Sequence, residues 1–165
     1  MKKSLMIIPL VILLCFTLSC QQQGEEAAEE PAVNVEADVE AIKGLEDEAM
    51  KAFNEGDLER YLSLLTDDVV WMAHTQPTVI GKEAVKDWVR FDLYTYEVTI
   101  TVEEVQVLGD WAFMRDIWIG TETQKESGEK FEFNNKGLYL VRRQPDGIWK
   151  LSYVIFNSNT PPASE

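Results

Sequence analysis

The sequence predicts an α+β domain in which helices come first and pack on one face of an antiparallel sheet built by the second half of the chain. Three observations carry this expectation. Apolar residues recur at three- and four-residue steps in the first half, the apolar period drops to two from Tyr94 onward, and the stretches between the later runs hold hairpin turn residues. A series of helices followed by a series of strands is the pattern of segregated α+β layers. The clearest strand pair is Asn134 to Asn159, NNKGLYLVRRQPDGIWKLSYVIFNSN, whose turn is supplied by Gln144, Pro145, Asp146 and Gly147. Both arms exceed the usual strand length, so they form the spine of the sheet.

Taken in order, the chain opens with Met1-Lys2-Lys3 and an uncharged run from Ser4 to Ser19. A basic start, a short apolar block and a small residue before the cut read as a signal peptide, residues 1–19. A membrane anchor is the alternative, but a bilayer span needs about 20 apolar residues. Thr17-Leu18-Ser19-Cys20 resembles the bacterial lipobox, with Thr17 where Leu is usual. That resemblance implies acylation of Cys20 and a lipid-anchored protein of the cell envelope, in the outer membrane facing the periplasm in a Gram-negative host. Residues 20–34 are acidic and polar, with Gly24 and Pro31, and bury too little apolar surface to fold. They read as a disordered tether.

The domain is expected over residues 35–160, with a short tail at 161–165. Val39, Ile42, Leu45, Ala49 and Phe53 form the stripe of a first helix, with Glu36, Glu40, Lys43 and Asp47 opposite. Gly56 suits its left-handed cap, and Asp57 can cap a short second helix bearing Leu58, Tyr61, Leu62 and Leu65, which Thr66-Asp67-Asp68 closes. Val69 to Ala73 reads as a strand. After a loop, Gly81 opens a third helix with Val85, Trp88 and Val89 on its apolar side. Alternation then gives a strand from Tyr94, a turn at Gly109-Asp110, a strand from Trp111 to Thr123, a turn near Gly128, and the final pair.

Composition excludes several chemistries. The two cysteines are Cys15, inside the leader, and Cys20, so the mature domain has no thiol for a disulfide, a thiolate metal site or a nucleophile. With one histidine, His74, a multi-histidine metal site is also excluded, and no cofactor is expected. A formal charge of −14 repels nucleic acid, and Arg142-Arg143 is too small a basic patch to oppose it. A Ser elbow, a phosphate loop and a dinucleotide fingerprint are all absent from the sequence.

Six short motifs in order carry a family resemblance: Phe53-Asn54-Glu55-Gly56-Asp57; Leu64-Leu65-Thr66-Asp67-Asp68-Val69-Val70; Ile80-Gly81-Lys82-Glu83-Ala84; Gly109-Asp110-Trp111-Ala112; Gly137-Leu138-Tyr139-Leu140-Val141-Arg142-Arg143; and Asp146-Gly147-Ile148-Trp149-Lys150-Leu151 with Phe156-Asn157-Ser158-Asn159. Over about Val39 to Pro161 the chain resembles the nuclear transport factor 2-like superfamily, in its SnoaL-like/DUF4440 branch. The resemblance implies a cone-shaped curved antiparallel sheet wrapped around three N-terminal helices, the cystatin-like α+β roll. That superfamily includes ketosteroid isomerases, polyketide cyclases, dehydratases and non-catalytic modules, so the fold leaves function open. The tyrosine and two aspartates that the isomerases use fall near Ala49, Ala73, and Lys136 or Gly137, none of which can replace them. The branch also often carries Asp where this chain has Val154.

Two function classes follow. The preferred one is a lipid-anchored, non-catalytic module that binds a small apolar ligand or an envelope protein partner. The other is an isomerase- or cyclase-like enzyme using His74 and Asp116. His74 follows the first strand near the mouth of the cone and is either a general base or, as preferred, a loop histidine in water. Asp116, set among Met114, Ile117 and Trp118, either faces the cavity or pairs with a basic residue on a neighbouring strand. Trp71, Trp88, Met114, Trp118, Tyr139, Asn135 and Asn157 are the candidate pocket residues, with core packing or strand ends as the alternative for each. Apolar residues on both faces of the strand around Phe113–Ile119 predict a homodimer, since one face covers the helices and the other needs a cover.

Overall fold

The computed structural model describes residues 34–161. The expected signal peptide, Cys20 with the expected tether, and the last residues of the tail lie outside the described residues. The first helix, α1 (Val35–Glu55), starts where the Asn34 side chain accepts a 3.1 Å hydrogen bond from the Ala37 amide. It ends at Gly56, whose φ of 68° gives the left-handed cap at no side-chain cost. Its buried stripe holds Ile42, Leu45, Ala49, Ala52 and Phe53, and also two acids, Asp38 and Glu46. Asp57 caps α2 (Leu58–Ser63) through the Arg60 amide. Then come β1 (Leu65–Met72), β2 (Val79–Ile80), α3 (Lys82–Trp88), β3 (Tyr94–Leu108), β4 (Trp111–Gln124), β5 (Lys130–Arg143) and β6 (Trp149–Ser158).

The strands form one six-stranded sheet in the order β2-β1-β6-β5-β4-β3. Three hairpins make β3 to β6 a meander. Register breaks at Glu103 in β3 and at Ser152 in β6, opposite Leu140/Val141 of β5, mark bulges, which bend the sheet around α1. The sheet is curved and mixed, not wholly antiparallel as the sequence suggested, because β1 pairs in parallel with β6. No hairpin joins those two strands: α3 and the whole meander lie between them, so their relative direction is free of turn geometry. The strand β1 also begins earlier than expected. Leu65 to Asp68, assigned to the end of α2, already belong to it, and an irregularity before Val70 shifts its register against β6.

On β4, Ala112, Met114, Asp116 and Trp118 face the helices, while Phe113 and Ile117 are half-buried and Ile119 is exposed on the outer face. Among the described residues no helix is long and apolar enough to cross a membrane.

Candidate functional site

The concave side of the sheet and the helices enclose a cavity of about 290 Å³. Its blind end is formed by Glu46 and Ala49 of α1, Tyr61 of α2, Trp71 of β1, Tyr139 of β5 and Leu151 of β6, all buried. Tyr96, Glu122 and Phe131, on the adjoining strands β3, β4 and β5, are half-buried or exposed and form the mouth. Aromatic side chains make up most of the wall. Phe156 anchors the middle, with its ring centroid 5.1 Å from Trp118 and 5.8 Å from both Trp71 and Trp88. Trp118 also meets Phe133 edge-on at 5.1 Å. Such tilted and edge-to-face packing holds each ring by its neighbours, so the walls are built before any ligand arrives.

The polar groups are few and unusual. Glu46 is 1% exposed and its Oε2 has no hydrogen-bond partner. Burial, helped by the charges of Asp116 and Asp47, pushes its carboxyl up to about 8, so at neutral pH it is mostly protonated. Asp116 is wholly buried, and neither of its oxygens has a hydrogen bond of full geometry. The Tyr139 hydroxyl and the Gly137 amide approach it and partly offset the burial, which still pushes it up to about 7. Tyr139 in turn is held well above the usual phenol range by burial and by Glu46 and Asp116. At the mouth, burial alone raises Glu122.

Gly137 makes this arrangement possible. It sits directly across from Asp116 on the neighbouring strand. A Cβ at residue 137 would fall inside contact distance of Asp116 Oδ1 and of the Tyr139 ring and hydroxyl. The glycine leaves the space into which the acid and the phenol fit. The resemblance looked for an acid at Lys136 or Gly137; the acid stands one strand away, at Asp116.

Among the pocket residues expected from sequence, Trp71, Trp88, Trp118, Tyr139 and Asn135 line the cavity. Met114 and Asn157 do not. Met114 is fully buried in the core beside the cavity, and Asn157, one step out of phase with Val154 and Phe156, points to solvent. The proposed pair of His74 and Asp116 is not brought together. His74 is exposed in the turn after β1, where Thr75 adopts a φ of 57°, and does not line the cavity. Asp116 lies behind Tyr139, not on the cavity wall, and has no basic partner on a neighbouring strand. Sequence reasoning missed Glu46. The signal was present: it lies four residues after Ile42 and three before Ala49, on the apolar stripe of α1. Among the described residues, no three histidine, cysteine or acidic side chains gather as a metal site would require.

Residues 47–150 match the family model of the SnoaL-like domain. Of the solved structures, a ketosteroid isomerase-like protein from Erwinia carotovora atroseptica superposes with a TM-score of 0.69 at 27% identity, over 75% of this chain and 98% of that one. A conserved protein from Planctomyces limnophilus gives 0.69 at 24% identity, over 74% and 98%. An NTF2-like protein with a cystatin-like fold from Novosphingobium aromaticivorans gives 0.63 at 19%, over 77% and 85%. No curated protein matches the chain.

Proposed function

The chain belongs to the SnoaL-like domain family, and from that footing we propose that it is a small-molecule-binding module, held at the cell envelope by lipid on Cys20 and non-catalytic. One observation carries the binding half of this reading: a preformed cavity of about 290 Å³ with aromatic walls and a single deep acid. Its volume is at the small end of ligand sites and suits one ring-sized, largely apolar molecule. Ala49 stands at the blind end, at the position where the resemblance puts the isomerase tyrosine, and contributes room in place of a hydroxyl. The lipobox at Ser19-Cys20 supports the anchoring half. Half-buried Phe113 and Ile117 with exposed Ile119 and Leu138 on the outer face of the sheet support a homodimer.

A second reading keeps the enzyme class but moves its acid–base group. Glu46, poised near neutrality on the cavity wall, has the perturbed acidity that proton-transfer sites use. Neither His74, exposed in the turn after β1, nor Asp116 lines the cavity. The two readings part on turnover. Tryptophan emission of the full chain, titrated with a panel of small aromatic and alicyclic compounds, reports binding through Trp71, Trp88 and Trp118. Saturable quenching that Ala49→Phe abolishes by filling the cavity, with no product formed from enolisable ketones, supports the binding module. Turnover lost in Glu46→Gln favours the enzyme. If no compound changes the emission or the melting temperature, the cavity is not a ligand site and both readings fall.

A further inference from the structure

The chemical class of the ligand can be narrowed from the cavity's charge pattern, on the premise that the cavity is a small-molecule site. We propose that it binds an organic cation, an ammonium group carrying apolar substituents. The cavity wall includes Glu46 at the blind end and Glu122 at the mouth, but no lysine, arginine or histidine. Neither acid has an ion-pair partner among the described residues. Two other buried or half-buried acids on α1 do have one: Asp38 holds Arg143 at 2.6 Å, and Glu48 holds Arg60, whereas buried Asp116, off the cavity wall, has none. The cavity therefore contains two carboxyl groups at different depths and lacks the countercharge that Asp38 and Glu48 receive.

The walls between these acids suit that countercharge. Trp71, Trp88, Trp118, Tyr96, Phe133 and Phe156 surround the space, and aromatic faces attract a cation, most strongly when water is excluded. An ammonium bearing methyl or aryl groups keeps apolar contact with the rings and sheds its weak hydration readily. Burial leaves Glu46 short of a partner: its Oε2 is unpartnered while the residue is 1% exposed. A cation seated beside it would favour the carboxylate and draw its proton off to solvent. The formal charge of −14 over the whole chain would gather cations at the mouth in the first place. A neutral ketone accepting a hydrogen bond from protonated Glu46 is the competing ligand, and it would gain nothing from Glu122.

Phenyltrimethylammonium and its neutral isostere tert-butylbenzene differ in charge and scarcely in shape, so titration calorimetry of the full-length chain with both isolates the charge. The cation should bind about tenfold tighter or more, consistent with a desolvated cation–π contact supplemented by a carboxylate. Glu122→Gln and Glu46→Gln should each weaken the cation several-fold and leave tert-butylbenzene unchanged. Glu36→Gln, an exposed acid on α1 away from the cavity, should change neither. Equal or tighter binding of tert-butylbenzene overturns the cation assignment and leaves the cavity a ligand site. Cation binding indifferent to both cavity variants, or lost with Glu36→Gln, means surface adsorption and also overturns it. Binding of neither compound overturns the cavity reading itself.

Discussion

Two buried acids stand on the same stripe of α1, Asp38 in its first turn and Glu46 further along, and the fold treats them in opposite ways. Asp38 is tied to the β5–β6 hairpin. Its Oδ2 accepts a 2.6 Å hydrogen bond from Arg143 and its Oδ1 a 3.2 Å bond from the Trp149 indole, while the Arg143 guanidinium stacks 4.3 Å above the Trp149 ring. Arg143 accordingly holds its carboxyl below the usual range, against the opposing effect of burial. Glu46 meets no cation, only Asp116, Asp47 and two tyrosines, and burial raises its carboxyl. The first acid is structural: it fastens the helix to the sheet and is stabilised by doing so. The second costs stability, and it borders the cavity. A polar group that the fold leaves unsatisfied at such a place is where function is to be sought.

The contrast can be broken at either end. The largest loss of stability is expected from Gly137→Ala, because the new Cβ must displace both the Asp116 carboxyl and the Tyr139 ring. Overpacking of this kind costs about 3 kcal/mol. Denaturant unfolding should show that loss, with a large change in the tyrosine environment, and a loss under about 0.5 kcal/mol would mean the acid and phenol have slack to move. Next comes Asp38→Ala, which leaves the partly buried Arg143 guanidinium with only Asp110, at 3.4 Å, and the Trp149 indole N–H without its acceptor. Partial exposure of the pair places the cost at about 2 kcal/mol, below that of a fully buried pair. Since the folded pKa of Asp38 is depressed, its contribution is present above the unfolded value near 3.8 and disappears as the pH falls through the folded one. The difference between wild type and Asp38→Ala should therefore shrink in acid.

Glu46→Gln should act with the reverse sign. The folded state holds the Glu46 proton up to about pH 8, whereas the unfolded chain releases it near 4.5. Between those values the unfolded chain binds fewer protons, so wild-type stability declines as pH rises. The variant escapes that decline and should equal wild type near pH 4 and exceed it by about 4 kcal/mol at pH 8. A residual slope below pH 7 should remain, from Asp116. Melting temperatures across this range distinguish the outcomes, and a destabilised variant at pH 8 would mean that Glu46 is ionised and paired.

Much of this contrast was within reach of the sequence. The order of helices and strands follows from local periodicity, and the hairpin turns follow from Gly109, Gly128 and Gly147, all at positive φ. The parallel pairing of β1 with β6 was not legible, because contact between segments far apart in the chain leaves no trace in local patterning. Leu65 to Asp68 misled for a related reason: a strand that starts irregularly, directly after a one-and-a-half-turn helix, has no clean alternation to announce it. Asp116 stood out as an acid in an apolar strand, yet its lack of any basic partner is a property of the assembled sheet. Glu46 was legible and was passed over, since an acid among many on an amphipathic helix is easily assigned to the solvated face. Asn157 could have been rejected by alternation alone, being out of phase with Val154 and Phe156.

The central claim is that Glu46 is an unpaired acid awaiting a partner in the cavity. Its side-chain carboxyl carbon, followed by NMR through a pH titration with and without phenyltrimethylammonium, tests that directly. The account predicts a midpoint near 8 in the empty protein that moves down when the cation is bound. A midpoint near 4.5 in the empty protein, unmoved by the cation, would contradict it.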